Sequence, residues 1–181
     1  MKKKKKQQLQ ELTEIMIAER GNMLRYAFYR LGNRDEAEDL LHDAYLRLYT
    51  QISEGAGKDI INLRNYLFKV LLNLCTDKIA NRQNVLIIDL DSVREIPDII
   101  TEDNEGDYAR ITQMLGQLPE EQAEVIRLRV YGNKSFAEVA DILRLPLPTV
   151  KSRFLYGLNK MRKDLNITVK QIKLTHKNCK Q

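Results

Sequence analysis

Thr149, Lys151, Ser152, Arg153 and Tyr156 fall within eight residues near the end of a basic stretch. Ammonium and guanidinium groups neutralise phosphates, while hydroxyl and guanidinium groups hydrogen-bond base edges, so this set suits recognition of nucleic acid. The chemistry of bond making has no comparable set. There is no G-x-x-x-x-G-K phosphate loop, paired-cysteine zinc spacing or nucleophile–histidine arrangement, and the only histidines are His42 and His176. An enzyme is therefore the class least supported, and no cofactor or metal is expected. A basic helical face by itself is equally the mark of a solvated surface. The elements that carry these residues have to separate the two readings.

Phe136, Val139, Ala140 and Leu143 recur at i, i+3, i+4 and i+7, one apolar stripe of a short helix. Ser135 precedes it as an N-cap, with Glu138 three residues on in the capping-box pattern. Arg144-Leu-Pro-Leu-Pro148 ends that helix, because proline lacks a donor N–H and disfavours a helical predecessor. Proline is welcome in a first helical turn, so a second helix starts at about Leu147. Val150, Leu155, Leu158, Met161 and Leu165 mark its expected buried face, with Phe154 beside it, and the polar set faces outward with Asn159 and Lys160. The layout is that of a helix-turn-helix, whose second helix enters the DNA major groove.

Few glycines and prolines, abundant charge and no tryptophan favour an all-helical fold. Charge is unevenly distributed. Through Gln83 there are 15 Lys/Arg against 11 Asp/Glu; residues 84–108 carry one Arg against eight acids; from Ala109 onward 14 basic residues face six acidic ones. Basic blocks flanking an acidic one, with a helix-turn-helix in the second, form the electrostatic footprint of DNA binding. Cys75 lies in an apolar helical run and Cys179 in a polar tail, which suggests a reducing compartment and no disulfide framework. No apolar run is long enough for a membrane span, and nothing after the initial lysines resembles a signal peptide, so no membrane insertion and a cytoplasmic location are expected.

These patterns divide the chain into a helical domain (1–83), an acidic flexible linker (84–106), a helix-turn-helix domain (107–165) and a basic tail (166–181). The lysine run 2–6 and the tail read as disordered. Helices are expected over 7–19 and 23–31, broken at Gly21-Asn22, then over 35–49 and 63–82. Others cover 107–118 and the segment that Pro119-Glu-Glu opens and Gly132-Asn133 stops. The 35–49 helix has Ala37, Leu40, Leu41, Ala44 and Leu48 on one face and leaves Asp39, His42, Asp43 and Arg47 outside it.

"RYAFYRLGNRDEAEDLLHDAYLRLYTQ" followed by "NLRNYLFKVLLNLCTDKIANRQ" resembles the N-terminal domain of extracytoplasmic-function (ECF) sigma factors, of the sigma-70 family of bacterial RNA polymerase subunits. "LGQLPEEQAEVIRLRVYGNKSFAEVADILRLPLPTVKSRFLYGLNKMRKDL" resembles their C-terminal domain. The resemblance covers about residues 22–165, with domain order and linker agreeing. It implies a fold of two small helical domains and, as partners, core RNA polymerase and promoter DNA. It further implies that Asp39, His42, Asp43 and Arg47 dock on the clamp coiled coil of the polymerase largest subunit; His42 stands where the family usually has glutamine. It implies that the 63–82 helix reads and helps melt the -10 element through Asn65, Lys69, Asn73, Lys78 and Arg82. Tyr66 replaces a common tryptophan and falls on the apolar side, where packing outweighs base stacking; residues 51–62 align with a loop that captures a flipped base. Thr149, Lys151, Ser152, Arg153 and Tyr156 become the -35 contacts, with Arg144 and Pro148 at positions usually held by glycine. Members are often held inactive by an anti-sigma factor, which joins the candidate partners although no residue identifies one.

Two other classes share parts of this pattern. A polymerase-independent helix-turn-helix regulator would use the C-terminal helices without needing the 35–49 surface. A helical decoy that binds polymerase without reading DNA would be indifferent to charge reversal at Lys151 and Arg153.

Overall fold

The computed structural model describes residues 2–85 and 105–178, so most of the expected linker and Cys179 lie outside it. The described residues form seven α-helices and one 3-10 turn, with no strand among them. This is the all-α architecture expected.

α1 (Lys2–Leu31) is one uninterrupted helix. The break expected at Gly21-Asn22 is absent, and the lysine run expected to be disordered forms its start. Gly21 is exposed and a side chain there would meet nothing, so its cost is the helix-propensity penalty of about 1 kcal/mol. Leu12, Ile15, Met23 and Leu24, buried on either side of it, offset that cost. At the N-terminal end Lys5 donates to the Ser53 carbonyl and Gln8 to that of Gly57.

α2 (Arg34–Ser53) starts at Asn33, whose side chain accepts the Glu36 N–H, and Asp35 and Glu36 fill its first turn where the helix dipole favours acids. Its buried stripe is Ala37, Leu40, Leu41, Ala44, Leu48 and Ile52. Gly55, at φ 88°, turns the chain into the short 3-10 turn Ala56–Asp59. α3 (Leu63–Val85) returns through the core, burying Leu63, Leu67, Phe68, Leu71, Leu74 and Cys75. Burial pushes the Cys75 thiol up to about 12, so it is a core residue and not a reactive one.

α4 (Glu105–Gly116), α5 (Glu120–Val130), α6 (Phe136–Leu143) and α7 (Leu147–Asn178) form the second half. α7 continues as helix to Asn178, through most of the tail expected to be disordered. Its buried face also differs from expectation. Val150 and Gly157 are buried and Phe154 and Met161 half-buried, whereas Leu155 and Leu158 are exposed. The cause is Gly157, which lets α7 approach α5 so closely that a Cβ would lie 2.7 Å from Ile126 Cδ1. That contact turns the Val150–Phe154–Gly157–Met161 strip inward and leaves the two leucines roughly 80–140° round the helix from Val150.

The halves pack together, and a single hydrophobic cluster runs through both. The seam also carries polar groups. Lys134 reaches Glu19 of α1 at 3.0 Å and lies 4.0 Å above the Phe68 ring. Burial alone would raise the Glu19 carboxyl, but hydrogen bonds from Asn22 and Lys134 and the charges of Lys134 and Arg64 outweigh it and hold it below the usual range. Tyr26 donates to Glu124, and Arg30 pairs with Glu120 and, at 3.3 Å, with Glu124. Burial, then the Glu124 charge, pushes the Tyr26 phenol well up. Tyr29 and Tyr131 stack with centroids 3.6 Å apart.

Candidate nucleic-acid interface

The α6–turn–α7 unit is held by local bonds. The Ser135 N–H donates to Glu138 Oε2 at 2.8 Å and the Glu138 N–H to Ser135 Oγ at 3.2 Å, completing the expected capping box. Burial would raise the Glu138 carboxyl, but the bonds to Ser135 win and lower it. α6 ends at Arg144, in the left-handed region at φ 54°, where the Leu145 N–H returns to the Ala140 carbonyl at 2.9 Å. A non-glycine residue there costs about 1 kcal/mol.

On α7, Lys151, Ser152 and Tyr156 are exposed and Thr149 is half-buried. Ser152 donates back to the Pro148 carbonyl at 2.9 Å, so its hydroxyl oxygen is left only as an acceptor. Arg153 is half-buried and pairs with Glu121 of α5 at 2.8 Å.

α3 divides its five candidate residues. At 100° per residue Asn65, Lys69 and Asn73 share a strip about 80° wide, and Lys78 and Arg82 lie on another side. Asn73 is exposed and Lys69 half-buried. Lys78 pairs with Glu36 of α2 at 3.6 Å; Arg82 pairs with the same carboxylate and donates to the Leu31 carbonyl at 2.9 Å. Asn65 is only 5% exposed. Asn62 accepts its backbone N–H at 3.0 Å, and its side-chain amide donates to Asp141 of α6 at 2.7 Å while Oδ1 has no partner. Tyr66 is half-buried and donates to Gln51 at 3.3 Å.

Between the loop after α2, α3 and α6 lies a cleft of about 430 Å³, lined among others by Gln51, Asn65, Tyr66, Lys69, Asp141 and Arg144. The contributions of α6 and Arg144 could not be read from sequence, because they arise only when the two halves meet.

α2 presents Asp39, His42, Asp43 and Arg47 together on its solvent face, all exposed. Leu46, 44% exposed, joins them at the i+7 position from Asp39. Sequence reasoning passed over Leu46, and its one available signal was that it falls outside the buried stripe. Among the described residues no cluster of three metal-ligating side chains occurs, and no helix is long and apolar enough to cross a membrane.

A three-helix unit with an exposed polar stripe, joined to a helix-turn-helix, defines a two-module helical class of transcription protein. Residues 16–85 match the family model described as Sigma-70 region 2, and residues 108–161 match Sigma-70, region 4. Together they span more than half of the chain, and the chain belongs to the sigma-70 family, as an ECF-type sigma factor. It is 26% identical over 180 residues to the ECF RNA polymerase sigma factor SigW of Bacillus subtilis (strain 168), covering 91% of this chain and 94% of that protein. It is 29% identical over 141 residues to the ECF RNA polymerase sigma factor SigL of Mycobacterium tuberculosis, covering 76% and 79%. The sigma factor RpoE of Bartonella quintana, solved with the anti-sigma factor NepR, shares the fold at TM-score 0.63 and 23% identity over 87% of this chain and 96% of that one. CnrH, solved with the cytosolic domain of CnrY, does so at TM-score 0.61 and 17% identity, covering 86% and 88%.

Proposed function

We propose that this sigma factor docks on core RNA polymerase through the Asp39-His42-Asp43-Leu46-Arg47 face of α2, with the clamp coiled coil of the largest subunit as its seat. α3 then grips the -10 element through Asn65, Lys69 and Asn73, with Lys78 and Arg82 supplying positive charge once Glu36 releases them. Thr149, Lys151, Ser152, Arg153 and Tyr156 read the -35 element in the major groove. The observation that carries this reading is the pairing, in one chain, of an exposed α2 stripe with an exposed recognition face on α7. A self-sufficient DNA-binding protein has no use for the first, and a polymerase decoy none for the second.

The chain's own chemistry is non-covalent. Ammonium and guanidinium groups hold phosphates, and amides hydrogen-bond bases that have left the stack. It works in the cytoplasm, where core polymerase and DNA are, and an anti-sigma factor is a further partner consistent with the family.

The test mixes the purified chain with core polymerase and a promoter library and scores specific run-off transcripts. Transcripts that share upstream and downstream elements are the expected result. Absence of both transcripts and core binding would sink the reading. Sequence-specific DNA binding without core binding would favour the polymerase-independent regulator.

A further inference from the structure

α1 begins with a run of lysines that nothing in its own helix favours. The helix starts at Lys2, its first turn holds no acid, and cations at that end oppose the helix dipole and repel one another. Lys4, Lys5 and Lys6 are exposed, and among the described residues none of them pairs with a carboxylate. The run is nevertheless held in a set place. Lys5 donates to the Ser53 carbonyl and Gln8 to that of Gly57 at 3.2 Å, so this end of α1 lies against the turn between α2 and α3. The same turn supplies Ala56, Asp59 and Ile60 to the cleft that Asn65 and Lys69 of α3 also line. It therefore adjoins both the lysines of α1 and the polar set of α3. The Sigma-70 region 2 match begins at residue 16, so the lysines lie outside it.

We propose that Lys4, Lys5 and Lys6 form a further phosphate-binding surface of the first module, which takes the backbone of the promoter strand where it passes the 51–62 turn. The proposal rests on the reading of α3 given above and extends it to the other helix that meets this turn. The ammonium groups make the contact, not the N–H groups of the helix end. Lysine is a compact charge on a flexible stem, which suits the backbone of a single strand without fixed geometry. Lys5 spends one of its three N–H groups on Ser53 and keeps two for phosphate oxygens. At 100° per residue Lys4 and Lys6 flank Lys5 on either side, so charge fans out around the point where α1 meets the turn. A strand gripped by α3 would there lose condensed cations from two or three more phosphates. It would at the same time relieve the lysines' mutual repulsion and their opposition to the dipole. An acidic protein surface could meet the same charge. The strand is favoured because the lysines share their turn with Asn65 and Lys69, which are read as -10 contacts.

Lys4→Gln, Lys5→Gln and Lys6→Gln together remove the charge and keep helix propensity, and the corresponding triple change to Arg keeps both. Each full chain, joined to core polymerase, is titrated over a salt series against a promoter fork with a single-stranded -10 element, taken from the run-off selection. In the glutamine chain the slope of log affinity against log salt should shrink by about 1.5–2, at 0.7 for each of two or three phosphates. The arginine chain should keep the full slope, and all three chains should bind core polymerase equally. An unchanged slope in the glutamine chain overturns the proposal. Loss of core binding in that chain also overturns it, and assigns the lysines to an acidic surface of the polymerase. If the glutamine chain melts early, Lys4→Gln with Lys6→Gln, which spares the Lys5 tether, decides; a slope smaller by about 0.7–1.4 supports the proposal and an equal slope overturns it. Failure of the sigma reading would show separately, as no core binding by the unmodified chain. The slopes are then read with the chain alone on a random-sequence single strand of roughly twenty nucleotides, long enough for the two or three phosphates at issue, and equal slopes there overturn the phosphate surface.

Discussion

Gly132 shows how narrowly single positions are set. A Cβ there would lie 2.7 Å from the Leu128 carbonyl oxygen and 3.3 Å from its Cα, both backbone atoms that cannot rotate aside. Gly132→Ala should therefore destabilise the chain by about 1–3 kcal/mol, the range for overpacking. The urea midpoint should fall with the slope unchanged. The stop at Gly132-Asn133 was legible, since glycine and asparagine favour helix ends, and Asn133 does take a positive φ of 50°. Gly157 was not. A glycine inside a helical run carries no sign of whether a neighbouring helix presses on it, and overlooking it misplaced Leu155 and Leu158. Asn65 was legible as a polar position on α3, but its burial was not, because its partner lies 76 residues away.

At the scale of elements, the local signals carried most of the fold. Asn33 before α2, Ser135 with Glu138 at α6, and Pro146 and Pro148 on either side of the first residue of α7 act within one turn, so sequence places those helix starts well. α1 shows the opposite case. Gly21 costs about 1 kcal/mol, and tertiary burial of its flanks overrides that. The α2 face leads to a prediction at this scale. Asp39→Arg with Asp43→Arg should weaken core polymerase binding at least tenfold, about 1.4 kcal/mol. Thermal stability should hardly move, because exposed substitutions of this kind stay within about 0.5 kcal/mol. A pull-down with core polymerase beside a melting curve checks both, and unchanged affinity would refute this docking face.

The molecule as a whole depends on a seam that sequence does not announce. Glu19 and Lys134 are 115 residues apart, and a lysine beside a helix cap reads as a surface residue. The pair carries a pH signature. Because Glu19 is held below its ordinary value, its contribution to stability is fully present above the usual glutamate range and is lost as pH falls through the lowered value. The Glu19→Gln chain should melt lower than the unmodified one at neutral pH, with the gap closing only below about pH 4.5. A gap that instead closes between pH 6 and 8 would show that the stabilisation comes from another group.

The tyrosine stack across that seam has a consequence for optics. The chain contains eight tyrosines and no tryptophan, so no indole masks phenol emission. The Tyr29 and Tyr131 rings lie nearly parallel, face to face at 3.6 Å, one from each half, and the Tyr26 hydroxyl donates to a carboxylate across the same seam. Any loss of the contact between the halves would unstack that pair and free a hydrogen-bonded phenol at once. The ultraviolet fluorescence of the unlabelled chain is thus sensitive to whether the two halves remain packed, and should change on unfolding in step with loss of the seam.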